Sequence, residues 1–212
     1  MASGALDHIR LTDRPLVVCD VDDVVLEFLA PFQAYLLSRG HRLIPRSFRL
    51  HGNIVSAAGD ALAEAAVSQL ILDFFDAQEH WQTPLGPAIE SLKTLSTTAD
   101  IVFLTAMPPS YVAQRRRLLD RLDLGYPLVA SLDPKGPLVQ ALHAGRPLPV
   151  AFVDDMVRNL HSVGESVSGC LLVHLMPESE MHRMAPAAGD HVRRAADWDE
   201  ATLLIGAHIA PG

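Results

Sequence analysis

The sequence Leu16-Val17-Val18-Cys19-Asp20-Val21-Asp22-Asp23-Val24-Val25 decides the fold that we predict for this chain. Its first four residues are apolar and two of them are β-branched, which is typical of a strand buried on both faces of a parallel sheet. Because side chains alternate along an extended chain, Asp20 and Asp22 point to the same side, with their Cα atoms roughly 6 to 7 Å apart. Ligands of open α/β sheets bind beyond the carboxyl ends of the strands. The sequence therefore predicts a site at this strand end, and the competing interpretation is a solvated acidic turn.

Composition indicates one main domain with room for an insertion. The chain has 212 residues, 49% of them hydrophobic and 20% charged, and its 25 acidic and 17 basic residues give a net charge of −8. This balance argues against a nucleic-acid polymer as the main partner. We expect no membrane association, because we find neither a signal peptide nor an apolar stretch of about 18 residues. Cys19 and Cys170 lie in apolar runs, and we expect both to be reduced core residues of a cytoplasmic protein.

Strand and helix patterns alternate along most of the chain. They predict an α/β fold in which a five-stranded parallel sheet is flanked by helices. Residues 27–85 lack a strand pattern and are predicted to form an all-helical insertion, with helices over 30–39 and 57–81. The predicted division is a core of residues 1–26 and 86–212 and an insertion of residues 27–85. The predicted strands after the first are residues 101–105, 127–131, 150–153 and 169–175.

Polar side chains follow four of the predicted strands. Phosphoryl transfer needs such a set, because it requires a nucleophile, a divalent cation and donors that neutralise the phosphoryl oxygens. A carboxylate can accept the phosphoryl group as an aspartyl phosphate, and Mg²⁺ prefers oxygen ligands. In chain order the polar groups are Asp20 with Asp22, Thr105, Lys135, and Asp154 with Asp155.

The order Asp-x-Asp, Thr, Lys and Asp-Asp resembles the haloacid dehalogenase (HAD) superfamily of phosphatases. The resemblance covers the whole Rossmann-like domain and implies a Mg²⁺-dependent phosphohydrolase that acts on a small phosphorylated metabolite. It implies that Asp20 is the nucleophile and that Asp22 is the general acid and base. Thr105, Ala106 and Lys135 would then bind the phosphoryl group.

The same resemblance implies a Mg²⁺ site. Asp20, the Asp22 backbone carbonyl, Asp154 and Asp155 would form it, and we favour Asp154 over Asp155 as the direct ligand. Two rival families share part of the pattern. A response-regulator receiver has its acidic pair first and its phosphorylated Asp alone after a later strand. True dehalogenases of the superfamily lack the second carboxylate, so Asp22 favours a phosphate ester as the substrate.

The insertion resembles the helical cap that superfamily members carry after the first strand, which implies a small substrate. The run Asp-Val-Asp-Asp-Val-Val-Leu-Glu-Phe also resembles Asp-Met-Asp-Gly-Val-Leu-Ala-Asp-Phe of the deoxyribonucleotidase branch. A 5′-nucleotidase is therefore one possible identity, although Asp23 stands where that pattern has glycine. Phe28, Arg46 and Arg49 are candidates for the substrate pocket, with cap core and solvated surface as their alternative roles.

Two other functions stay open at this stage. The chain could be a non-catalytic binding protein with the HAD fold, or a phosphotransferase that uses an acceptor other than water. The sequence makes no prediction of the oligomeric state. We interpret Arg115–Arg117 as a solvated helix face and His174 as a buried histidine of the core.

Overall fold

The computed structural model describes residues 6–210, which form a parallel six-stranded sheet with helices on both faces. The strand order is β5-β4-β1-β6-β7-β8. The strands are β1 (Leu16–Cys19), β4 (Asp100–Thr105), β5 (Leu128–Ala130), β6 (Val150–Asp154), β7 (Leu171–Leu175) and β8 (Arg193–Ala195), and a separate pair is β2 (Arg42–Leu43) and β3 (Ile54–Val55). The helices are α1 (Leu29–Ser38), α2 (Glu64–Trp81), α3 (Ala88–Ser96), α4 (Val112–Arg121), α5 (Lys135–His143), α6 (Val157–Ser166) and α7 (Trp198–Ile209).

The predicted α/β fold is confirmed, but the sheet has six strands instead of five. The additional strand β8 has three residues, and its two arginines are exposed. It therefore lacks the apolar run that predicts a strand. Cys19 and Cys170 are both free, as expected. Cys19 is buried in β1, whereas Cys170 is only partly buried and lies just before β7 instead of within a strand.

Strand β1 lies at the centre of the sheet because it has apolar side chains on both faces. Val17 and Cys19 pack in the cluster that includes residues of α3, α4 and α7, whereas Leu16 and Val18 pack with residues of α5 and α6. Strands β4 and β6 flank β1, with Val18 in register with a residue of each. The acidic end of β1 is thus held beside the ends of two neighbouring strands.

The insertion is not all-helical, contrary to our prediction. Strands β2 and β3 form an antiparallel pair between α1 and α2. Helix α2 begins at Glu64, seven residues later than predicted, because Leu62 donates a backbone hydrogen bond to Ile54 and extends the β3 pairing region. The insertion has a hydrophobic cluster of its own, whose buried members are Phe32, Tyr35, Leu36, Ile54, Val67 and Phe74.

Two chain segments connect this insertion to the core, and they are hydrogen-bonded to each other. The Glu27 amide donates to the Thr83 carbonyl at 2.9 Å, and the Leu85 amide donates to the Val25 carbonyl at 2.9 Å. We call residues 26–28 and 82–85 the linkers. Between residues 6 and 210, none of the helices has both the length and the apolarity needed to cross a bilayer.

Candidate active site

A buried lysine lies between two of the predicted acids. Lys135 Nζ is 2.7 Å from Asp20 Oδ1 and 2.6 Å from Asp154 Oδ2, and all three side chains are almost inaccessible to solvent. Asp20 follows β1, Asp154 ends β6, and the backbone amide of Asp20 donates to the Val153 carbonyl of β6. Lys135 is the first residue of α5. The structure thus brings together groups from three separate segments.

The site carries more negative charge than this lysine neutralises. Carboxylate oxygens of Asp20, Asp154 and Asp155 lie within 4.8 Å of one another. Burial raises the pKa of Asp20 to about 7; Lys135 opposes this shift, and the carboxylates of Asp154 and Asp22 add to it. Burial also raises the pKa of Asp155 well above its usual value, reinforced by Asp154 and Asp20. Three buried carboxylates beside a single ammonium leave an excess of negative charge, and such a group of oxygen atoms fits a hard divalent cation such as Mg²⁺.

Lys135 itself stays protonated. Burial lowers its pKa, but the adjacent carboxylates of Asp154 and Asp20 outweigh that effect and hold the pKa above its ordinary value. Its ammonium is therefore a fixed positive charge beside Asp20.

The two acids at the end of β6 have different surroundings. Asp154 Oδ1 accepts hydrogen bonds from the Met156 amide at 2.8 Å and from Asn159 Nδ2 at 3.0 Å, while Oδ2 accepts from Lys135. Asp155 lines the adjoining cavity. Its backbone carbonyl accepts a hydrogen bond from the ring of His174 at 2.8 Å, which accounts for the buried position predicted for that histidine.

Asp22 is held by three side chains from other parts of the chain. Its Oδ1 accepts hydrogen bonds from Gln82 Nε2 at 2.8 Å and Arg115 Nη2 at 2.9 Å, and its Oδ2 accepts from Thr105 Oγ1 at 3.3 Å. The prediction that Arg115 belongs to a solvated face was wrong, because its side chain is fully buried. Arg116 and Arg117 are at the surface, where each forms an ion pair with an acid.

Asp23 joins this acidic segment to the insertion. Its φ of 55° lies in the left-handed region, where glycine is favoured and aspartate is tolerated better than most residues. Its carboxylate accepts hydrogen bonds from the backbone amides of Phe28 at 2.8 Å and Leu29 at 3.2 Å. The aspartate that replaces glycine in the resembling pattern therefore satisfies donors at the start of α1.

A cavity of about 730 Å³ opens above these acids, between the core and the insertion. Of the predicted substrate-binding residues, Phe28, Arg49 and Ala106 line it, whereas the exposed Arg46 does not. Thr105 and Lys135 lie below its floor, with 0% and 2% of their surfaces exposed. Other lining residues are Asp20, Asp22, Asp23, Phe48, His51, Glu64, Phe75, Asp155, Arg158, Asn159 and His182.

Comparison with known proteins identifies the fold. The sequence matches no protein-family model and no curated protein. A HAD-like hydrolase from Xanthomonas campestris has a similar structure, with a TM-score of 0.59 and 14% identity over 92% of this chain and 96% of that chain. A HAD-like hydrolase from Streptococcus pneumoniae gives a TM-score of 0.56 with 14% identity, over 90% of this chain and 97% of that one.

A third similar structure is a D,D-heptose 1,7-bisphosphate phosphatase from B. bronchiseptica, complexed with magnesium and phosphate. Its TM-score is 0.56 with 10% identity, over 91% of this chain and 98% of that chain. This chain has the HAD fold. At identities of 10% to 14%, the likeness shows a shared fold and does not extend to a shared activity.

Sequence reasoning missed four residues of the site in this HAD fold: Gln78, Gln82, Arg115 and Asn159. Gln78 and Gln82 are buried and four residues apart, hence on one face of the end of α2. Arg115 precedes the buried Leu118 and Leu119 by three and four residues, so its position on the apolar face of α4 was a usable signal.

Replacing Lys135 should destabilise the protein far more than an equivalent change at the surface. K135M leaves Asp20 and Asp154 buried without their cation, so we expect the free energy of unfolding to fall by about 3 to 5 kcal/mol. The matched control is K93M, which breaks the exposed ion pair between Lys93 and Asp123 and should change stability little. Urea unfolding with EDTA, in mildly alkaline buffer, measures both. Equal losses in the two variants would contradict the assigned role of Lys135.

Proposed function

We propose that this protein is a Mg²⁺-dependent phosphohydrolase that cleaves phosphate monoesters of small molecules through an aspartyl phosphate on Asp20. The observation that carries the proposal is the buried cluster of Asp20, Lys135, Asp154 and Asp155 beside a cavity. A carboxylate that faces a cavity next to a fixed ammonium has the charge compensation that attack on an anionic ester requires. The HAD fold supports the same chemistry by analogy.

Asp20 and Asp155, with the backbone carbonyl of Asp22, are the groups that we propose to hold Mg²⁺. Asp154 would be the orienting partner of Lys135 instead of the direct ligand, because donors already engage both of its carboxylate oxygens. This reverses the preference that we drew from the sequence. When bound, Mg²⁺ offsets the repulsion between the carboxylates and the phosphate group.

The proposed reaction has two displacements on phosphorus. In the first, an oxygen of Asp20 bonds to phosphorus, the bond to the ester oxygen breaks, and Asp22 gives its proton to the departing alcohol. In the second, Asp22 takes a proton from a water molecule that attacks phosphorus, the bond to Asp20 breaks, and inorganic phosphate leaves. Lys135 orients Asp20, while contacts of Thr105 and Ala106 with the phosphoryl group stay predictions.

The cavity supports a small substrate that carries a second anionic group. Arg49 comes from the insertion and Arg158 from α6, and both are exposed and line the same cavity. Among residues 6–210, neither guanidinium forms an ion pair with a carboxylate. Unpaired cations in a protein of net charge −8 are available for an anionic ligand.

A 5′-nucleotidase is the second candidate. Phe28, Phe48 and Phe75 line the cavity and could stack against a nucleobase. A nucleoside monophosphate therefore belongs in the panel of substrates, next to phosphorylated acids and sugars.

Substitution of Asp20 should abolish turnover. We expect the wild-type protein with Mg²⁺ to release phosphate from members of this panel, and D20N to lose the activity by several orders of magnitude because an amide does not replace the nucleophile. D133N is the matched control, since Asp133 is exposed in a loop outside the cavity. A wild-type protein inert on the whole panel would favour a binding protein, and transfer of phosphate to added alcohols in place of water would favour a phosphotransferase.

Substitution of Asp155 should weaken metal binding more than substitution of Asp154. We expect D154N to lower Mg²⁺ affinity by about 10- to 100-fold, the usual loss when an orienting group is removed, and D155N to lower it further. Isothermal titration calorimetry of the substrate-free protein measures both affinities. A larger loss in D154N would restore Asp154 as the direct ligand.

The two arginines should confer a preference for a second negative charge. We expect a higher kcat/KM for 4-carboxyphenyl phosphate than for its neutral amide, 4-carbamoylphenyl phosphate, and a reduced ratio in R49Q and R158Q. R46Q is the matched control, because Arg46 lies in the same segment as Arg49 but outside the cavity lining. Equal kcat/KM values for the two esters in the wild-type protein would argue against an anionic subsite.

A further inference from the structure

The carboxylate of Asp22 belongs to a buried polar cluster that joins the insertion to the core. Arg115 Nη2 donates to Asp22 Oδ1 at 2.9 Å and to Gln82 Oε1 at 3.1 Å, and Gln82 Nε2 donates to the same Asp22 oxygen at 2.8 Å. Arg115 Nε also donates to the side-chain oxygen of Gln78. Asp22, Gln82 and Arg115 therefore each contact the other two.

Arg115 is an unusual residue to bury for stability alone. Removing a guanidinium from water is expensive, and a buried ion pair is often no more stable than an apolar replacement. Its Nη1 is buried and finds no hydrogen-bond partner in the described part of the chain, so its donors are incompletely satisfied. A residue that is fully buried at such a cost and directed at a reactive carboxylate indicates a functional role.

Gln82 connects the same carboxylate to both linkers. It is the first residue after α2, at the point where the chain returns to the core. Its Nε2 also donates to the Glu27 carbonyl at 3.0 Å, in the segment that leads out to the insertion. A change in the angle between the linkers would therefore alter the hydrogen bond that Gln82 makes to Asp22.

We propose that Gln82 and Arg115 are positioning residues that fix the Asp22 carboxylate for proton transfer, a role that rests on the proposed function. Two donors share Oδ1, and Thr105 donates to Oδ2. Three donors, from the linker after α2, from α4 and from β4, thus define the plane and the rotamer of the carboxylate. Without Gln82 or Arg115 the acid is still present, but its proton is no longer aimed at the departing oxygen.

Leaving-group dependence separates this role from a general loss of structure. The leaving group of 4-nitrophenyl phosphate, 4-nitrophenolate, departs readily without a proton. The alkoxide that leaves 4-nitrobenzyl phosphate needs a proton from a general acid. These esters differ by a single methylene group, so they make closely similar demands on the cavity. Because kcat/KM reports the steps up to the first irreversible one, it covers departure of the alcohol and excludes hydrolysis of the aspartyl phosphate.

The experiment measures kcat/KM for both esters in Q82M, R115M and R115K. We expect the kcat/KM of Q82M and of R115M to fall about 10-fold further for the benzyl ester than for the phenyl ester. This selective loss is a part of the 10²- to 10⁴-fold that general acid catalysis contributes. R115K keeps the charge but loses the planar fork, so its selective loss should be similar. Q114M is the control, because Gln114 also links α4 to α2 through an exposed hydrogen bond to Asp76, at 3.0 Å.

A double-mutant cycle with D22N completes the test. If Gln82 acts through Asp22, Q82M should cause no further selective loss in the D22N background. Thermal unfolding identifies any variant that fails to fold, and Q82M carries the test alone if both Arg115 variants do. Equal losses on the two esters, or an undiminished effect of Q82M in D22N, would overturn the positioning role and leave the phosphohydrolase intact. A wild-type protein inert toward both esters would overturn the proposed function and the positioning role together.

Discussion

Compensation of buried negative charge by one lysine is the constraint on which the rest of the site depends. Lys135 Nζ contacts Asp20 and Asp154 at 2.7 and 2.6 Å, and neither carboxylate could be buried at this depth without it. The contact requires that β1 and β6 be neighbours in register, because a shift of one residue would turn Asp20 to the opposite face of the sheet. It also requires α5 to begin at Lys135, where the helix meets both strand ends. The ion cluster and the order of the sheet are therefore mutually dependent.

The sequence predicted the convergence of the acids because their position is a consequence of topology. In a parallel sheet every carboxyl end lies at the same edge, so polar groups that follow separate strands meet without any need to predict loops. The sequence did not predict β8, since its exposed arginines carry no hydrophobic signal, nor the short pairing of β2 with β3. These strands have only two or three residues each, too few for a periodic pattern, and their formation depends on pairing with another segment, which local sequence does not encode.

The basic segment of the insertion shows the same limit at the level of single residues. Arg46 and Arg49 are three positions apart in a stretch without helical or strand pattern. From the sequence, both were equally good candidates for the substrate pocket. The structure separates them because the buried Asn53 side chain donates to the carbonyls of Ser47 and Arg49 at 2.8 and 2.6 Å and accepts from the Arg46 amide. This set of hydrogen bonds fixes the loop so that Arg49, but not Arg46, faces the cavity.

Three acids of one short segment have three different environments, and the difference explains how one strand end can organise two units of structure. Asp20 lines the floor of the cavity, where its carboxylate contacts Lys135. Asp22 is directed at the linkers, where Gln82 and Arg115 hold it, and Asp23 adopts a left-handed conformation and binds the first amides of α1. Because these residues are adjacent in a backbone fixed by β1 and by the Trp198 hydrogen bond to the Val24 carbonyl at 2.7 Å, they cannot move independently. Asp22 is therefore connected to the insertion in two ways, by the backbone through Asp23 and by a hydrogen bond through Gln82. Both connections meet at Asp22, the carboxylate that the proposed reaction uses as an acid in the first displacement and as a base in the second.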